Sequence, residues 1–119
     1  MKLNLDCVRD ILMDIEDMTD GYKSILISEE NYKILPNCRK YNYTELRYHL
    51  LQCQQNEYFI NGSQTFDEDF SIVDLTPMAH NVIAQIRENN FWNKFKKFII
   101  GFGTITLPML PDILSRFIS

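Results

Sequence analysis

A chain of 119 residues that is 45% hydrophobic is the size of one ordinary domain and has enough apolar side chains for one core, which excludes a disordered protein. Sixteen acidic against 12 basic side chains give a formal charge of −4, so nucleic-acid binding would require a local basic patch. Three cysteines in an odd set, Cys7, Cys38 and Cys53, form no Cys-x-x-Cys pair and do not make the disulfide framework of a secreted domain.

The amino-terminal residues Met1 to Asp6 reach an acid before any signal-peptide core forms, and the expected location is the cytoplasm, without membrane association. From Asn4, which can cap a first turn, Val8, Ile11, Leu12 and Ile15 recur at helical spacing until Thr19-Asp20-Gly21. Ser24 to Ser28 encloses Ile25, Leu26 and Ile27, a β-branched run that predicts a buried strand. The stretch from Glu29 to Asn42 carries no clear signal. Asn42 or Thr44 opens a second helix, with Leu46, Leu50 and Cys53 on its inward face.

Tyr58, Phe59 and Ile60 predict a strand, Asn61-Gly62 a turn, and Phe70, Ile72 and Val73 a returning strand after an acidic tip of Asp67, Glu68 and Asp69. Thr76-Pro77 is a strong helix start, followed by a stripe of Ala79, Val82, Ile83 and Ile86. Asn89-Asn90 interrupts it. The next helix is aromatic on one side (Phe91, Trp92, Phe95, Phe98) and basic between (Lys94, Lys96, Lys97). From Phe98 to Pro111 the chain is uncharged and broken by glycine and proline, before Ile113, Leu114 and Phe117 suggest a last short helix.

Helix, strand, an unclear segment, helix and a two-stranded hairpin is the order of a winged helix-turn-helix, with Thr44 to Gln55 in the recognition position. The expected fold class is therefore α+β: a winged-helix-like domain over residues 1–100, including the helices from Thr76 to Ile99, followed by an apolar tail at 101–119 that packs on the domain or joins two copies. The unclear segment would have to hold the short middle helix.

The chain also resembles a phage- and prophage-associated family catalogued as domain of unknown function 2513. The residues that carry the resemblance are Met1 to Ile15, Tyr48-His49-Leu50-Leu51, Asp74-Leu75-Thr76 with Ala79-His80, and Ile86-Arg87 followed by Phe91-Trp92-Asn93-Lys94. Where such chains carry an Ala-Gly-Leu-Ile-like step after the central helix, this one has Gln54 to Ile60. The resemblance implies a winged-helix-like fold and a bacterial or phage setting, and no reaction.

On a recognition helix, Arg47, His49, Gln52 and Gln55 would reach bases or phosphates, with Arg39 and Lys40 upstream. Lys94, Lys96 and Lys97, beside Trp92 and Phe91, could form a phosphate- or lipid-binding patch. Trp92, Phe95, Phe98, Leu110, Ile113, Leu114 and Phe117 would form a homodimer seam or pack the tail. His49, Cys53 and Cys38 offer only three zinc ligands without paired spacing, so no metal or other cofactor is expected. With two histidines, no phosphate loop and no nucleophile elbow, the expectation is a protein that is not an enzyme and has no small-molecule substrate. Two functions compete: a protein-binding module, an antagonist of a host nucleic-acid-handling or defence protein, and a regulator that binds double-stranded DNA.

Overall fold

The first helix, α1 (Leu5–Met18), forms where the sequence places it because Asn4 accepts hydrogen bonds from the amides of Asp6 and Cys7. In the computed structural model, which describes residues 1–63 and 69–119, α1 buries Cys7, Val8, Ile11, Leu12 and Ile15 together with two carboxylates, Asp10 and Asp14. Thr19 closes the helix through its hydroxyl on the Ile15 carbonyl at 2.6 Å. A turn at Gly21, whose φ of 77° suits glycine, leads into β1 (Ile25–Ile27).

The segment from Glu29 to Asn42 does not hold the expected middle helix. It contains one 3₁₀ turn at Tyr32–Ile34 and then further turns. Amides bond three residues back, Leu35 to Tyr32, Cys38 to Leu35 and Tyr41 to Cys38, at 3.0 to 3.2 Å. Tyr32, Leu35 and Cys38 thus fall on one buried face with a period of three. The buried carboxylate of Asp14 holds this path by accepting from the Asn37 and Cys38 amides, both at 3.0 Å, and from the Asn37 side chain at 2.7 Å. Asp10 accepts from the Tyr41 hydroxyl at 2.6 Å.

Asn42 caps α2 (Tyr43–Gln55) by accepting from the Glu45 amide at 2.9 Å. Glu57, at φ 63°, turns the chain into β2 (Phe59–Asn61), and β3 (Phe70–Leu75) returns. The sheet is antiparallel throughout, in the order β1-β3-β2, with Ile25 opposite Ile72 and Phe59 opposite Leu75. A side chain at Gly62 would put its Cβ 2.0 Å from the Ser24 hydroxyl, so the hairpin approaches β1 on glycine. Of the acidic tip, Asp67 and Glu68 lie outside the described residues.

Thr76 caps α3 (Pro77–Ile86), and the Glu88 carboxylate caps α4 (Asn89–Ile99) by accepting from the Asn90 and Phe91 amides. After 3₁₀ turns at Ile100–Phe102 and Leu107–Met109 comes α5 (Leu110–Ile118). The architecture is thus α+β, with five α-helices on a small three-stranded sheet among the described residues. No single helix among the described residues is long and apolar enough to cross a membrane.

The tail belongs to the one core. Leu107, Leu110, Ile113 and Leu114 are buried, and the buried Tyr58 hydroxyl donates to the Leu107 carbonyl at 2.8 Å. Trp92 and Phe95 are equally buried, so five of the seven residues read as a dimer seam or tail packing are packed within one copy, while Phe98 and Phe117 keep partial exposure.

Two consequences are measurable. A chain ended at Ile100 should lose its cooperative thermal transition and bind hydrophobic dyes, whereas a dispensable tail would leave the transition in place. Asp14→Ala should cost about 3 kcal/mol in urea unfolding, since it strands buried donors of the turn segment; a change below about 1 kcal/mol would show that the carboxylate does not hold that segment.

Candidate interaction site

Buried Tyr43, Leu46, His49, Leu50 and Cys53 turn α2 inward and leave Thr44, Arg47, Tyr48, Leu51 and Gln55 on the opposite face, with Gln52 at its flank. His49 is therefore not a surface contact. Its ring is fully buried: Nε2 accepts the Asn4 amide at 2.8 Å, which leaves the proton on Nδ1 to donate to the Glu45 carbonyl, also at 2.8 Å. The sequence showed the i, i+4 relation to Cys53 but not the amino-terminal segment that needs this acceptor.

Arg47 is the one cation on that outward face, and its Nε lies 3.7 Å from the Asp69 carboxylate, which also accepts from the Tyr43 hydroxyl. Burial and this bond push the Tyr43 phenol well above its ordinary value. Lys40 is exposed but pairs with buried Asp10 at 3.1 Å, so it serves α1; Arg39 is exposed without an ion pair among the described residues.

A groove of about 1250 Å³ lies beside α2, between the amino-terminal segment, α4 and the turn that follows α4. Lys2, Lys96 and Lys97 stand on it with Tyr48, and Leu3, Ile99 and Ile105 give it apolar walls. A smaller hollow of about 460 Å³, holding Thr44, Arg47 and Leu51, shares Met1 and Tyr48 with it. The lysines read as one patch are divided by the helix: Lys94 is exposed but lies off the groove, and Lys96 donates to Asp6 at 3.1 Å and sits 5.8 Å from the Trp92 ring centre. Partial burial acts against the charged form of Asp6, yet hydrogen bonds from Trp92 and Lys96 and the charges of Lys96 and Arg9 hold its carboxyl below the ordinary range.

The sequence reading missed a polar cluster on the other side of α1. His80 bonds Glu16 at 2.8 Å and Asp74 at 3.0 Å, and Arg87 bonds Glu16 at 2.7 Å and Asp17 at 3.0 Å. Its position beside the buried Ala79 was the available signal. With both ring nitrogens facing carboxylates, the protonated form of His80 is favoured, and the ring acts as a clamp between α1, β3 and α3. The three thiols are buried, and burial raises that of Cys7 to about 12 and those of Cys38 and Cys53 further. No group of three or more histidine, cysteine or acidic side chains among the described residues is placed to hold a metal ion.

The family model described as Hypothetical protein (DUF2513) matches residues 2–105, and the chain belongs to that family. Neither the curated proteins nor the solved structures gave a match. The matched span holds α1 to α4 and every residue that lines the groove except Met1; α5 follows it.

The clamp predicts a pH dependence. The Glu16 hydrogen bond, opposed by partial burial and aided by the charges of Asp74 and Glu16, raises His80 above its ordinary 6.5. Its contribution is complete below that value and is lost as pH rises through the raised folded value. With 39% of the side chain exposed, the effect is screened to under about 1 kcal/mol. The stability gap between the native chain and His80→Gln should therefore narrow as the pH rises above 6.5 in urea unfolding; a gap that widens refutes the clamp.

Proposed function

We propose that this DUF2513 member is a non-catalytic binding protein of winged-helix design whose partner is a protein, held on the outward face of α2 and the groove beside it. The winged-helix reading is supported by the order α1, β1, turn segment, α2, β2-β3 hairpin, with β1 on the far side of β3. The middle helix is reduced to the 3₁₀ turns held by Asp14.

The observation that carries a protein partner over DNA is the make-up of the outward face of α2. A helix that enters the major groove presents several donors to bases and stands amid cations for the phosphates. Here Arg47 is the only cation on that face and shares its charge with Asp69, while Tyr48 and Leu51 supply apolar area bordered by two hollows. Tyrosine and arginine beside apolar side chains, over a concave surface, favour protein contact. In a bacterial cytoplasm, an antagonist of a host nucleic-acid-handling or defence protein of phage or prophage origin fits an acidic chain of this design.

The second reading, a double-stranded DNA regulator, is favoured by Arg39, Lys94 and Lys97, which are exposed and lack acidic partners among the described residues. They would hold phosphates while Arg47, Gln52 and Gln55 face the bases.

Mixed-sequence duplex DNA separates the two. The expected outcome is no retention at about 150 mM salt and at most weak, sequence-independent binding at about 50 mM. Tight binding that falls steeply with salt and disappears in Arg47→Glu would establish the regulator instead.

A further inference from the structure

We infer that the groove between the amino-terminal segment and α4 receives an acidic, amphipathic segment of the partner protein; this deepens the protein-binding reading and rests on it. Charge is the first argument. The chain as a whole is −4, yet the charged side chains on the groove are Lys2, Lys96 and Lys97 against Asp6 alone. Asp6 is already bonded to the Trp92 indole at 2.7 Å and to Lys96 at 3.1 Å. Lys2 and Lys97 are exposed and have no acidic partner among the described residues. Cations gathered in a hollow with low-dielectric walls focus their field on whatever occupies it, and in an otherwise acidic molecule they select an anionic occupant.

The walls supply the second argument. Leu3, Leu5, Ile99 and Ile105 face the same hollow, and Ile100 on its edge is 78% exposed, a large apolar surface left in water. An occupant must cover that surface as well as meet the lysines. A peptide with an apolar stripe flanked by Glu or Asp does both, in the manner of a helix laid into a groove.

Size and continuity decide between a peptide and a small anion. The groove's volume of about 1250 Å³ exceeds the roughly 300–1000 Å³ of most small-molecule sites. It also shares Met1 and Tyr48 with the hollow over α2, which is lined by Glu29 and Asp69 beside Arg47, so a partner that lies across both meets the three lysines in the larger one and Arg47 among carboxylates in the smaller.

The test titrates the full chain with a synthetic amphipathic peptide carrying a leucine stripe flanked by glutamates. A second peptide has every Glu replaced by Gln. The sole tryptophan, Trp92, reports on the groove through its bond to Asp6, and calorimetry gives the affinity independently. Saturable binding of the Glu peptide should weaken at least about tenfold for the Gln peptide and for Lys2→Glu/Lys97→Glu. Ile100→Ser, which leaves charge unchanged, should also weaken it. Both variants alter exposed side chains, and thermal unfolding checks that they fold.

Equal affinity for the two peptides, unchanged affinity in the double-lysine variant, or saturable oleate binding without peptide binding overturns the inference. Duplex DNA in a parallel titration separates the two levels of the proposal. If neither peptide nor duplex binds, the acidic-segment inference fails and the protein-partner reading stands. If duplex binds and the double-lysine variant abolishes that binding, both fail.

Discussion

The polar side chains of α1 are the constraint on which the other elements depend. The backbone amide of Asn4, which caps α1, donates to His49 on α2, and the Asp6 side chain accepts from Trp92 and Lys96 on α4. Arg9 donates to the Ile86 and Arg87 carbonyls and to the Asn89 side chain, closing the carboxyl end of α3 and setting the turn into α4. Asp10 and Asp14 hold the turn segment, and Glu16 and Asp17 hold α3 through His80 and Arg87. A helix that buried only its apolar stripe would be free to slide or rotate. These bonds, spread over α2, the turn segment, α3 and α4, fix its register, and the two buried carboxylates would be costly without the partners they have.

The elements that sequence made legible share a local cause. Asn4, Asn42 and Thr76 cap their helices through the next turn's amides, and the stripes on α1 and α3 have the ordinary helical period. The turn segment was opaque because its signal is a period of three, Tyr32, Leu35, Cys38 and Tyr41, and because the carboxylates that organise it lie more than 20 residues away in sequence. The tail was ambiguous for a related reason. Its apolar residues are equally suited to a second copy or to the same copy, and only the space left by α3, α4 and Tyr58 selects the latter.

The candidate site was legible in its parts and not in its assembly. Arg47, Gln52, Gln55, Lys96 and Lys97 were identified, but the groove that brings Lys96 and Lys97 to Tyr48 depends on where residues 1–5 run. That path is set by His49, singled out in the sequence as a contact residue. From inside the core it accepts the Asn4 amide and fixes the amino-terminal segment alongside α2 as a wall. The wall is thus pre-organised by the same bonds that begin α1, and a ligand there does not have to order it.

Formal charge is a poor guide to what this surface attracts. Asp10, Asp14, Glu16, Asp17 and Asp74 bond to other parts of the chain, and the first two are nearly inaccessible, so much of the acidic excess is turned inward. Several of the cations do the opposite: Lys2, Arg39, Lys94 and Lys97 lie exposed without acidic partners among the described residues. Phosphate binding therefore cannot be dismissed on net charge, and the decision rests on placement. Lys2 and Lys97 stand on an apolar hollow to one side of α2, and Lys94 is exposed outside the residues that line it. A duplex seated on α2 needs cations ranged along both flanks of the helix at phosphate spacing, whereas a pair of lysines set over leucine and isoleucine suits an occupant whose own charges border an apolar face.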